Sequence, residues 1–106
     1  MQAFIYLHGI NIIVNVTQLA ILTILSEDEH SVNEIGEYLG LSKKQLIRNV
    51  RRLEKRGLIT VKAYLGGGDV IVSITEEGME ELYKHYMFLR DLIREMEISV
   101  CTKFEC

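Results

Sequence analysis

Proline and tryptophan are absent from the 106 residues, cysteine is confined to Cys101 and Cys106, and no charged side chain precedes Glu27. Without proline, element boundaries must be marked by glycine and by cap residues. The two cysteines have neither the spacing nor the histidine company of a zinc site, and the three histidines are scattered, so neither a metal nor a cofactor is expected. There is no nucleophile elbow and no phosphate-cradling glycine loop. Acidic pairs such as Glu76 and Glu77 suit the positive end of a helix dipole better than acid–base catalysis. These absences point away from an enzyme.

The uncharged opening contains His8, Asn11, Asn15 and Gln18 and has no basic leader, which argues against a signal peptide and against a membrane span. If helical, these four side chains form one wet stripe on an otherwise buried rod. A cytoplasmic location follows. The only glycine cluster is Gly66 to Gly68, and no linker or repeat divides the chain, so a single domain over 1–106 is expected.

What the sequence does have is segregated charge. Of 12 basic side chains, eight lie between Ser42 and Ala63 against one acid, Glu54, although the net charge is −3. Around this run the caps are clear. Asn15 with Gln18 opens a first helix, Ser31 with Glu34 a second that stops at Gly40, and Ser42 with Gln45 a third running to Arg56 and stopping at Gly57. Gly36, inside the second helix, suggests a close backbone neighbour. Leu58 to Tyr64 and Val70 to Ile74 are rich in β-branched residues and flank Leu-Gly-Gly-Gly-Asp, the pattern of a hairpin with a flexible tip. Thr75-Glu-Glu-Gly then caps a long last helix reaching to about Glu97. The expected class is mainly α with a β-hairpin (α+β).

On the third helix Leu46, Val50 and Leu53 share one side. With about 100° per residue, Lys44, Arg48, Arg51 and Lys55 fall on the opposite side. Surface charge usually serves solubility, but solubility mixes the signs, and like charges four apart disfavour a helix. A partner of dense negative charge offsets that repulsion. A second helix after a tight turn, turning cations toward a groove, is the helix-turn-helix solution to DNA binding.

The stretch VNEIGEYLGLSKKQLIRNVRRLEKRGLITV, followed by VIVSITEEG, resembles the winged helix-turn-helix of MarR- and PadR-type regulators, from about Asn15 to Met79. Its most specific parts are the Leu41-Ser42 start of the third helix, the exit Leu53-Glu-Lys-Arg-Gly-Leu-Ile59, and Thr75-Glu-Glu-Gly78. The small size, Ile-rich composition and terminal cysteines are also similar to short winged-helix proteins of archaea and their viruses, which would place the protein in host cytoplasm if viral. The resemblance implies sequence-specific binding of double-stranded DNA by a homodimeric transcriptional regulator. It puts Lys44, Gln45, Ile47 and Arg48 toward base edges, Arg51, Arg52 and Lys55 toward phosphates, and Lys43 and Lys62 nearby. Wings of this family often carry Arg near the tip. This tip has no cation, so strong minor-groove readout by the wing is not expected.

The implied division is an N-terminal dimer or core element at 1–14, the winged helix-turn-helix at 15–75, a dimerisation helix at 76–97 and a cysteine-containing tail at 98–106. Met79, Leu82, Tyr86, Leu89, Ile93 and Met96 recur at heptad-like spacing and form the expected dimer seam. Cys101 and Cys106 are either free thiols, as in a reducing cytosol, or a disulfide within or between chains, the inter-chain form suiting a dimer. Two further readings stand beside DNA binding. One is a protein-interaction module docking its basic face on an acidic surface. The other is a regulator sensing an effector of unknown identity near Tyr6, His8, Tyr83 and Tyr86.

Overall fold

The computed structural model describes residues 15–106. The dimer or core element expected at 1–14 lies outside the described residues, as do Tyr6, His8 and Asn11. Four α-helices and a three-stranded antiparallel sheet follow: α1 (Val16–Glu27), β1 (His30–Ser31), α2 (Val32–Leu39), α3 (Lys43–Lys55), β2 (Ile59–Tyr64), β3 (Val70–Ile74) and α4 (Glu76–Phe104). The sheet order is β1-β3-β2. The chain divides into two compact units, Ile13–Leu82 and one that takes in Tyr83–Cys106, with α4 running from one into the other.

Each expected cap residue caps its helix, though the reciprocal box forms at Ser31 and not at Ser42. The Asn15 side chain accepts from the Gln18 N–H at 2.8 Å. Ser31 and Glu34 form a complete capping box, each side chain accepting the other's backbone N–H, at 3.1 and 3.0 Å. Hydrogen bonding from the Ser31 backbone, and secondarily from its side chain, holds the Glu34 carboxyl below its usual range against some desolvation, and His30 adds to the effect from 3.7 Å. The left-handed backbone at Gly40 (φ 63°) ends α2, and that at Gly57 (φ 75°) follows the end of α3, as the two glycines predict.

The structure also departs from expectation. Strand β1 is an addition, pairing His30 with Val72 and Ser31 with Ile71. The close neighbour of Gly36 is a side chain rather than a backbone, since a Cβ there would lie 2.9 Å from Leu46 Cδ2. Gln18 belongs to no wet stripe, for it is 4% exposed. Helix α4 continues seven residues past Glu97, because Ile98 to Phe104 contain neither glycine nor proline to stop it.

The core of the first unit gathers Ile21, Leu22 and Leu25 of α1, Val32 and Ile35 of α2, Leu46, Val50 and Leu53 of α3, and Leu58, Ile59 and Val72. Two sequence motifs prove to be one junction behind α3. Thr75 donates its hydroxyl to the Gly57 carbonyl at 2.6 Å and its N–H to the Leu58 carbonyl at 3.0 Å, while its Oγ1 accepts from the Gly78 N–H. A Cβ on Gly78 would collide with the Leu58 carbonyl oxygen. The exit of α3 and the Thr-Glu-Glu-Gly start of α4 therefore occur together because each satisfies the other's backbone. Gly78→Ala is expected to lower the unfolding free energy by about 1–2 kcal/mol, an overpacking cost measurable by urea denaturation.

Candidate nucleic-acid interface

Helix α3 opens with Lys43 and Lys44 and has no acid in its first turn. Two cations at the positive end of a helix dipole are unfavourable for the isolated helix. They are not compensated within the described residues. Lys43, Lys44, Arg48, Arg51, Arg52, Lys55 and Lys62 are all exposed, and none is held in an ion pair with another described residue. Lys44, Ile47, Arg48, Arg51 and Arg52 line a shallow depression of about 480 Å³. Ile47 is half-buried within it and gives the basic face an apolar floor.

Gln45 is exposed, but its side chain is engaged. Ser42 Oγ accepts the Gln45 N–H and donates to Gln45 Oε1, both at 3.3 Å. The cap is thus not the reciprocal box expected from Ser-Lys-Lys-Gln.

The opposite side of α3 holds a polar contact that the sequence did not reveal. Asn49 is 9% exposed; its Nδ2 donates to the Gln45 carbonyl at 2.8 Å, and its Oδ1 accepts from Gln18 Nε2 at 3.3 Å and from Asn15 Nδ2 at 3.5 Å. Asn49 thus ties the reading helix to the start of α1 and fixes its rotation about its axis. The signal available was a lone Asn between Leu46 and Val50 on the buried side; its partners, more than 30 residues earlier, were not. Asn49→Ala leaves the Gln18 amide buried without that acceptor and is expected to cost about 1–2 kcal/mol in unfolding free energy, readable by urea denaturation.

The wing is a three-glycine turn, Gly66–Gly68, with Gly67 and Gly68 at φ 74° and 81°, closed by a bond from the Leu65 N–H to the Asp69 carbonyl at 2.9 Å. Asp69 is not part of a free tip. Its carboxylate accepts from the Asn33 N–H at 3.1 Å and the Val70 N–H at 2.9 Å, docking the wing base on the first turn of α2.

This arrangement of a short α2, a tight turn, an exposed basic α3 and a β2–β3 wing matches known proteins. The sequence model of the MarR family matches residues 14–63. The fold is a winged helix-turn-helix, similar to that of MarR-family proteins. Its backbone is similar to the transcriptional regulator BldR from Sulfolobus solfataricus, at 24% identity and TM-score 0.75, covering 98% of this chain and 73% of that one. The PcaV transcriptional regulator from Streptomyces coelicolor, in complex with its natural ligand, gives 22% identity and TM-score 0.74 over 92% and 72%. Lactococcus lactis ZitR is similar as a double mutant (23%, TM-score 0.70, 86% and 62%) and as a cysteine-to-serine mutant in complex with DNA (21%, TM-score 0.68, 90% and 65%). The chain thus spans less than two thirds of these two ZitR chains. No curated protein sequence matches it.

Along α4 the seam positions Met79, Tyr86, Leu89, Ile93 and Met96 are exposed, and only Leu82 packs partly on the core of its own unit. His85 and Phe88, buried on the same helix, lie roughly a quarter-turn round from that row. Tyr83 and Tyr86 are exposed, with ring centroids 6.5 Å apart. Cys101 and Cys106 are bonded to each other within one chain, closing the end of α4. Among the described residues no helix is long and apolar enough to cross a membrane, and no three His, Cys, Asp or Glu side chains cluster as metal ligands.

Proposed function

We propose that this chain binds double-stranded DNA sequence-specifically as a homodimer and regulates transcription, with α3 in the major groove. The observation that carries the reading is the row of exposed, unpaired cations on α3. Phosphates offset their mutual repulsion, and an α-helix fits the groove. Lys44, Gln45, Ile47 and Arg48, on the first turns, take the base edges, and Arg51, Arg52 and Lys55, with Lys43 and Lys62 beside them, take phosphates. The exposed row on α4 is the seam that joins two copies. Support also comes from ZitR, a mutant of which has been seen in complex with DNA.

The deciding experiment is binding to random duplex DNA across a salt series, followed by selection of preferred duplexes from a random pool. Affinity should fall steeply with salt, by a log–log slope of roughly −0.9 for each phosphate neutralised, and a palindromic site should emerge. Binding that is absent or indifferent to salt overturns the reading and leaves the basic face as a dock for an acidic protein surface.

A further inference from the structure

Ile47 is the one apolar residue of α3 that the core does not use. Leu46, Val50 and Leu53 of the same helix are buried in the core. Ile47 is half-buried, yet among the described residues it neither belongs to that core nor packs against it. Its cover comes from its own helix. Lys44, three residues before it, and Arg51, four after it, stand beside it on one face, and both line the same depression with Arg48 and Arg52. An isoleucine there adds nothing to solubility, and a β-branched side chain forms a helix less readily than Leu or Lys. Neither packing within the described residues nor local propensity therefore accounts for an apolar floor under four cations.

The rim and the floor of this depression make different demands on a partner. Lys44, Arg48, Arg51 and Arg52 call for dense negative charge, which phosphates supply. Ile47 calls for a small apolar group within reach of the same surface. In the major groove, adenine, guanine and cytosine present hydrogen-bond donors and acceptors, and thymine alone adds an apolar group, its C5-methyl. We propose that Ile47 is a specificity-determining residue, its side chain receiving the C5-methyl of one thymine in each half-site. The inference rests on the proposed DNA-binding reading and deepens it by naming a base. Contact between the isoleucine and the methyl takes apolar surface on both sides out of water without stripping a polar group of its partners. Cytosine, the other pyrimidine, carries only hydrogen at C5 and is disfavoured there. Because Arg48 is next in sequence and lines the same depression, this thymine lies near the base pair that Arg48 reads.

The test uses the full chain and its selected duplex, with each thymine in turn replaced by deoxyuridine, which lacks the C5-methyl and keeps the hydrogen-bonding edges. One replacement in each half-site, near the base pair at which Arg48→Ala relaxes the choice, should weaken binding by the unaltered chain roughly fourfold, the worth of one methyl-sized group removed from water. Thymines outside the reach of α3 should tolerate the change. The salt slope should stay the same, because no phosphate contact is lost. Ile47→Ala should bind the thymine duplex more weakly than the unaltered chain does, and should bind the thymine and deoxyuridine duplexes alike. Its melting temperature should stay near that of the unaltered chain, because Ile47 lies outside the core. Ile47→Val, which keeps a branched apolar side chain, should retain part of the preference for thymine. If deoxyuridine is silent at every position while Arg48→Ala still loses affinity, the thymine assignment is wrong and the DNA reading stands. A deoxyuridine penalty that persists undiminished in Ile47→Ala overturns the role of Ile47. Failure of the unaltered chain to bind any duplex overturns both.

Discussion

Arg48→Ala is expected to weaken binding to the preferred duplex by about 1–3 kcal/mol and to relax the choice of base at one position in each half-site, as the loss of a bidentate pair with guanine requires. Arg48 is exposed, one turn into α3 and opposite the buried Leu46, Val50 and Leu53, so the substitution removes a contact without opening the core. Lys55→Ala, in the last turn, should behave differently. It should weaken every duplex to a similar degree and lower the magnitude of the salt slope by about one, the mark of a phosphate contact. Titration of both variants against the selected duplex and a scrambled one separates the two roles. Isotherms for both variants that coincide with those of the unaltered chain would rule out this face of α3 as the DNA surface.

What the sequence made legible was what is decided locally. Ser31 with Glu34, Asn15 with Gln18, and the glycines at 40 and 57 mark helix ends because cap chemistry spans three or four residues. The basic face of α3 was readable for the same reason, since helical geometry alone brings Lys44, Arg48, Arg51 and Lys55 together. Features fixed by distant partners were not. Strand β1 has two residues and exists only through its pairing with Val72 and Ile71. The clamp on Asn49 comes from Gln18, 31 residues earlier, and Asp69 meets Asn33 across 36 residues. The register shift between Val61 and Ala63 depends on β3 as much as on β2. The end of α4 was misplaced for an energetic reason: Ile98, Val100 and Thr102 have modest helix propensity, yet nothing among them breaks the helix, and the Thr102 hydroxyl bonds back to the Ile98 carbonyl at 2.6 Å.

The longer α4 bears on the second large effect, the response of the proposed dimer to charge in its seam. Val100, four residues past Met96 and 44% exposed, extends the apolar row by another turn. In the protomer Leu89 and Ile93 are 39% and 52% exposed, so an aspartate at either position meets water there and should leave melting and helical content close to those of the unaltered chain. In the proposed dimer the same aspartate is buried without a partner, and two-fold symmetry places it in the interface twice. An uncompensated buried charge costs about 3–5 kcal/mol, enough to weaken association by roughly a thousandfold. Leu89→Asp and Ile93→Asp should therefore sediment as folded monomers at concentrations where the unaltered chain is a dimer. Specific DNA affinity should collapse with dimerisation, because two half-sites about 34 Å apart are then read by independent protomers and the gain from linked binding is lost. Weak, salt-sensitive binding to random duplex should persist, since the α3 cations of each protomer are untouched. Sedimentation of the unaltered chain as a monomer at micromolar concentration would overturn the seam, whatever the variants do.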